Sequence, residues 1–275
     1  MRTTDIKPPV CLTIAGLDPS GGAGIIADIK TFSAFSCFAA AAITSVTFQN
    51  TSGVFGTVHQ TADAVRRQIE PVLDDYDVSA IKTGMLPTRE IIETAAALIT
   101  ERQLKNIVVD PVIRSTSGHD LIDVGALSAL IERLFPLADL ITPNIPEAER
   151  IAGMNITSRA DVEKAAAIMR SMGARNVLIK GGHLPDAESG VRNAEPQKRK
   201  ATDYLFIGDE LMVFDAEFIE TTATHGTGCT LAAAIAANLA LGNDLAKSVK
   251  IAKDFVREAI RTAPNIGKGN SPINI

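Results

Sequence analysis

Thr224-His-Gly-Thr-Gly-Cys-Thr230, running into Leu231-Ala-Ala-Ala-Ile-Ala-Ala-Asn-Leu-Ala-Leu241 and closed by Gly242, is the stretch whose reading decides the architecture. A strand-like run precedes it, and an apolar helical pattern follows. Gly226 and Gly228 carry no Cβ, so the chain can turn tightly and approach a ligand closely. The first N–H groups of the helix have no partner inside it and stand at the positive end of its dipole. Such an entrance suits a phosphate, or the charge of a phosphoryl group in flight. Cys229 lies in the first turn, where the same field favours thiolate over thiol. Taken alone, the heptapeptide also fits a glycine turn before a buried helix, with Cys229 as core filler.

The same order of strand, small or polar residues and helix recurs upstream. Val10–Ala15 reads as a buried strand, 23–36 as a helix and 39–48 as a second strand. Thr61 caps a helix running toward Asp75. Strands follow at 78–82, 106–110, 138–142 and 176–180, with helices at about 88–102, 123–135, 146–152 and 158–173. Strands separated by helices of this length imply parallel crossovers and a sheet covered on both faces. No linker or repeat divides the chain, so residues 1–275 read as one domain. Residues 202–207 and 210–214 flank Gly208-Asp209 and suggest a hairpin. The polar run from Leu184 to Lys200 reads as a solvated loop, or, with that hairpin, as a flap over a nucleotide at about 184–214.

Composition removes several classes. The 275 residues are 46% hydrophobic and 21% charged, as in ordinary globular proteins. A net charge of -5 argues against nucleic-acid or anionic-membrane partners. Three widely spaced cysteines (11, 37 and 229) exclude a disulfide framework and a Cys-x-x-Cys metal site. His59, His119 and His183 have no metal-ligand spacing. With no apolar leader and no 18-residue apolar run, the expectation is a reduced, cytoplasmic protein.

Glycine-rich or polar residues follow seven of the strands: 16–24, Gln49-Asn50, Lys82–Met85, Asp110-Pro111, Thr142–Glu147, Lys180–His183 and Thr224–Thr230. In an open parallel sheet these positions share one edge, where ligands bind. Gly22-Ala-Gly24-Ile-Ile-Ala27 matches a loose dinucleotide pattern, but no acidic residue occurs between Asp28 and Asp63 to hold a ribose. A nicotinamide enzyme is therefore rejected. No G-x-x-x-x-G-K-[ST] loop is present, which excludes a P-loop kinase.

These residues together resemble a known family. Ala15-Gly-Leu-Asp-Pro-Ser-Gly-Gly-Ala-Gly24, Gln49-Asn-Thr51, Lys82-Thr-Gly-Met85, Thr142-Pro-Asn-Ile-Pro-Glu147, Lys180-Gly-Gly-His183 and His225-Gly-Thr-Gly-Cys-Thr230 are similar to those of the hydroxymethylpyrimidine/phosphomethylpyrimidine kinases. These are the thiamine-pathway members of the ribokinase-like superfamily, and the resemblance runs from about residue 10 to the C-terminus. It implies a three-layer αβα fold with a mostly parallel sheet, and a homodimer. It also implies ATP-dependent phosphorylation of 4-amino-5-hydroxymethyl-2-methylpyrimidine and then of its monophosphate. By matching position, Gln49 would bond the pyrimidine edge, with Gly16, Ala23, Asp28, Met85 and Val112 around it. Asn144, Lys180, His225 and Thr227 would meet ATP. Asp110 and Glu147 would help hold Mg²⁺, which takes few direct carboxylates and keeps several waters; the resemblance also leaves room for a monovalent cation. Gly226, Gly228 and Cys229 would carry the transfer, with Cys229 as thiolate base. Blander roles remain open: core packing for Met85, a strand-end tie for Gln49, a helix-start acid for Glu147 and a solvated lysine at position 180.

Two segments depart from the family pattern. After Asp110 the chain reads Val112-Ile-Arg-Ser-Thr-Ser-Gly118, where some members carry Lys-Ser-Gly, and the C-terminus ends Pro-Ile-Asn-Ile275 without a terminal His. The rival expectations are a pyridoxal/pyridoxine kinase of the same superfamily and a nucleotide- or pyrimidine-binding regulator without turnover.

Overall fold

The computed structural model describes residues 7–114, 121–181 and 200–275. Nine strands form one sheet: β1 (Val10–Leu17), β2 (Phe38–Asn50), β3 (Gly53–His59), β4 (Val78–Thr83), β5 (Ile107–Val109), β6 (Leu140–Ile141), β7 (Asn176–Lys180), β8 (Lys200–Ile207) and β9 (Glu210–Glu217). Their order is β3-β2-β1-β4-β5-β6-β7-β8-β9. From β2 through β7 every pairing is parallel, whereas β3, β8 and β9 join antiparallel at the two edges. The helices are α1 (Gly24–Ala34), α2 (Ala62–Asp75), α3 (Arg89–Glu101), α4 (Val124–Ala129), α5 (Ile145–Ala152), α6 (Arg159–Ser171), α7 (Thr227–Ala240) and α8 (Leu245–Arg261). None of them is long and apolar enough to cross a membrane.

Alternation along the strands builds two cores, because successive side chains leave a strand on opposite faces. Leu12, Ile14, Ile81, Val109, Ile141, Val177 and Ile179 meet α2–α6 on one face. Cys11, Ala80, Val108, Leu140 and Leu178 meet α1, α7 and α8 on the other. Helix α7 is buried from Thr230 to Asn238, and most of those residues are alanine, so it lies close against the sheet.

Most expected elements stand within a residue or two of their places. Thr61 caps α2 by accepting from Ala64 N–H at 3.1 Å. The helix expected over 123–135 is α-helical only to Ala129; a wider π turn (Leu130–Leu134) and a tight 3-10 turn (Phe135–Leu137) follow. Pro136 lacks the N–H that would continue it. The Gly208-Asp209 hairpin forms, with Gly208 at φ 56°. Its strands form the edge of the sheet, and 184–199, the rest of the expected flap, lie outside the described residues. Strand β3 and helix α8 answer to nothing in the sequence reading.

Candidate active site

The carboxyl ends of the parallel strands open on a cavity of about 630 Å³. Gly16, Ala23, Gln49, Met85, Asp110, Val112, Asn144, Glu147, Lys180 and the whole of Thr224–Cys229 line it. The seven polar strand ends read from sequence thus converge on one place, although Gly182 and His183 lie outside the described residues.

At its floor the chain enters α7 through Gly226, whose φ of 89° lies in the left-handed region. A Cβ there would stand 1.8 Å from the Gly22 carbonyl oxygen, so only glycine fits. Thr227 N–H turns back to Thr224 O and Thr230 N–H to Gly226 O (3.3 and 2.9 Å). Between them the N–H groups of Gly228 and Cys229 stand at the positive end of the helix. A Cβ on Gly228 would come 3.3 Å from Lys180 Nζ, which places an ammonium beside this cradle.

Lys180 ends β7 and donates to Asp110 Oδ1 at 3.0 Å, and Thr142 donates to the same oxygen at 2.8 Å. Burial would raise the Asp110 carboxyl, but Lys180 and Lys82 outweigh it and hold it below the usual range. Asn144 and Glu147 form a capping box on α5: Asn144 Oδ1 accepts from Glu147 N–H (2.9 Å) and Glu147 Oε2 from Asn144 N–H (2.8 Å). The helix-start role is therefore real, and one carboxylate oxygen is spent on it. Burial lifts the Glu147 carboxyl to about 7, with Asp110 adding to the shift and Lys180 opposing it. Among the described residues no third His, Cys, Asp or Glu joins Asp110 and Glu147. Two carboxylates lining the same cavity as this amide cradle fit a hydrated Mg²⁺, which takes few direct carboxylates and keeps several waters.

On the opposite side, Thr47 donates to Gln49 Oε1 at 3.1 Å. His225, assigned to ATP from the sequence, lies here instead: its Nε2 is 2.7 Å from Asp18 Oδ2 and 3.5 Å from Gln49 Nε2. The carboxylate fixes the Nε2–H tautomer, so His225 cannot accept from the Gln49 amide, whose donors stay available to a ligand. Asp18 also accepts from Ser20 N–H and Ala23 N–H (2.8 and 3.0 Å), which pins the glycine loop.

Two expectations need correcting. Asp28 does not line the cavity: it is wholly buried beneath the floor and paired with Lys82. Cys229 does line it, yet burial pushes its thiol up to about 11 against the pull of Lys82, and the helix dipole does not reverse this. The resting group is thiol.

Sequence reasoning passed over three contributors. Asp18 stood inside a quoted motif without a role. Lys253 of α8 pairs with Asp203 at 2.5 Å, and Asp203 also accepts from Gly181 N–H; both side chains line the far wing of the cavity beside Phe218, Ile219, Val256 and Ile260. The C-terminal segment straps the Gln49 side. Asn270 N–H donates to Thr51 O (2.8 Å), His225 N–H to Ser271 O (3.3 Å) and Ile273 N–H to His225 O (3.4 Å).

A family model described as phosphomethylpyrimidine kinase matches residues 18–274. The hydroxymethylpyrimidine/phosphomethylpyrimidine kinase of Bacillus subtilis is 43% identical, over 96% of this chain and 93% of that protein. The thiamine biosynthesis bifunctional protein ThiED of Geobacter sulfurreducens is 45% identical over 96% of this chain, which spans 51% of that longer protein. Among solved structures, the ADP complex of Bacillus subtilis pyridoxal kinase superposes with a TM-score of 0.85 at 37% identity, over 98% of this chain and 97% of that one.

Proposed function

The chain belongs to the phosphomethylpyrimidine kinase family, and from that membership we propose that it transfers the γ-phosphoryl group of ATP to hydroxymethylpyrimidine, then to its monophosphate, for thiamine biosynthesis. The observation that carries the reading is the meeting, in one cavity, of an amide cradle with Lys180 beside it and a ring-reading amide at Gln49. Phosphoryl transfer needs positioning and charge stabilisation more than covalent help. Gln49, its oxygen engaged by Thr47, turns its amide donors to the aminopyrimidine edge, while Met85 and Val112 wall the ring. The wing beside Phe218, Val256 and Ile260 takes the adenine of ATP. The amides of Gly228 and Cys229 and the Lys180 ammonium face the moving phosphoryl group, whose equatorial oxygens carry the charge. Cys229, once ionised, receives the hydroxymethyl proton. Asp110 and Glu147 would hold Mg²⁺, which when bound neutralises charge on the ATP phosphates.

The assay is ADP release with ATP and Mg²⁺ over hydroxymethylpyrimidine, its monophosphate, pyridoxal and pyridoxine. Turnover of both pyrimidines is expected; turnover of pyridoxal alone overturns the substrate, and binding without ADP release overturns the enzyme. The superposition on a pyridoxal kinase favours pyridoxal as the second reading, because both substrates are hydroxymethyl-bearing heteroaromatic rings. Replacing Cys229 with Ala should lower kcat by about 10²-fold or more if it is the base. The exposed Phe48, Phe55 and Val58 at the β2–β3 edge support a homodimer.

A further inference from the structure

One pair of charges under the mouth of α7 is not used by the chemistry above. Thr13 in the middle of β1 and Lys82 near the end of β4 leave their strands on the face that also carries Cys11 and Ala80, toward α1 and α7. There Lys82 Nζ stands 2.8 Å from Asp28 Oδ2, which also accepts from Thr13 Oγ1 at 2.6 Å. Both charged side chains are wholly buried, and among the described residues Asp28 Oδ1 has no hydrogen-bond partner. A buried ion pair with an orphaned oxygen is a poor stabiliser, since apolar side chains of like volume usually do as well.

The ammonium is also held close to the reaction. Lys82 and Cys229 both line the cavity, and a Cβ on Gly84 would stand 2.8 Å from Lys82 Nζ, so glycine leaves the room the ammonium occupies. The charged groups acting on the Cys229 sulfur come from several elements. Lys82 on β4 favours the thiolate, while Asp28 on α1 and Asp110 beyond β5 oppose it. Lys180 on β7 interacts with it as well. Burial would strip Lys82 of its proton, but Asp28, with Asp110 adding to it, outweighs this and raises the group above the usual lysine range, so the ammonium is charged while Cys229 rests as thiol.

We propose that Lys82 is a positioning residue for the phosphoryl transfer: its ammonium, anchored by Asp28 and Thr13, is the counter-charge against which the Cys229 thiolate forms. The thiol first gives its proton to water. The thiolate then takes the substrate's O–H proton while the oxygen bonds to the γ-phosphorus and the bridge to ADP breaks. The proposal rests on Cys229 being the base for this catalytic consequence, but the ionisation itself is measurable without turnover.

The measurement is the rate of Cys229 alkylation by iodoacetamide at about pH 8, followed on the peptide that carries it, because only thiolate reacts. Cys11 is wholly buried and serves as a silent internal reference. Lys82→Met should slow alkylation about tenfold or more, as expected for losing an opposite charge at close range. The near-isosteric Asp28→Asn should speed it several-fold. A merely structural role would disturb both variants in the same direction, so equal signs, or two unchanged rates, overturn the proposal. If Lys82→Met does not fold, Asp28→Asn decides alone: faster alkylation supports the proposal, and an unchanged or slower rate overturns it. If instead Cys229→Ala turns over normally while the opposite signs hold, the base assignment fails and the counter-charge stands.

Discussion

At Gly226 one added methyl would close the site. Its Cβ would overlap the Gly22 carbonyl, and its φ of 89° is strained for any other residue. Gly226→Ala should therefore lower kcat by about 10²–10³, the cost of losing an oriented oxyanion donor; a near-normal kcat in a steady-state assay would detach the cradle from the chemistry. Cys229 makes a separate prediction. A base raised to about 11 is protonated at neutral pH, so its ionised fraction grows with pH. The rate kcat/KM should climb about tenfold per pH unit above neutrality, and a flat profile would mean that the proton goes elsewhere. Motif spacing made Gly226, Gln49 and Lys180 legible in the sequence. It could not place His225, because the partner that draws this side chain toward Gln49 is Asp18, 207 positions away.

Among elements, α5 joins stability to the site through Asn144 and Glu147. Removing the cap in Asn144→Ala should cost about 1 kcal/mol in urea denaturation, while the backbone N–H of residue 144 goes on donating to the Glu147 carboxylate. The C-terminal strap should matter more to substrate than to folding. Its bonds run to Thr51 and His225, both beside Gln49, and through Asn274 N–H to Ala259 O on α8, with Ile273 buried. Ending the chain after Ile266 should raise the KM for hydroxymethylpyrimidine, while the far-ultraviolet circular dichroism changes little. Helix α8 was readable: Asp244 caps it, and Leu245, Val249, Ala252, Val256 and Ile260 mark one face at helical spacing. Strand β3 was harder. It pairs antiparallel with β2 through the short turn at Thr51-Ser52, against the parallel rhythm of the rest. The strap was not legible at all, since Gly267–Ile275 has neither period and is ordered only by its distant partners.

For the molecule as a whole, β3 ends the sheet with Phe55 70% and Val58 52% exposed, next to Phe48 on β2. An edge of this kind invites pairing with another strand unless it is covered. Phe55→Lys should convert a dimer to a monomer in light scattering, with the fold retained; a monomeric parent protein would dismiss the covering. Across the sheet, the alanines of α7 have a different consequence. They act as a shim, fixing the height of the α7 entrance above the sheet. A methyl or two added deep inside, at Ala233 or Ala236, would tilt that floor from a distance. Catalysis would detune while every side chain that touches substrate stayed as it was.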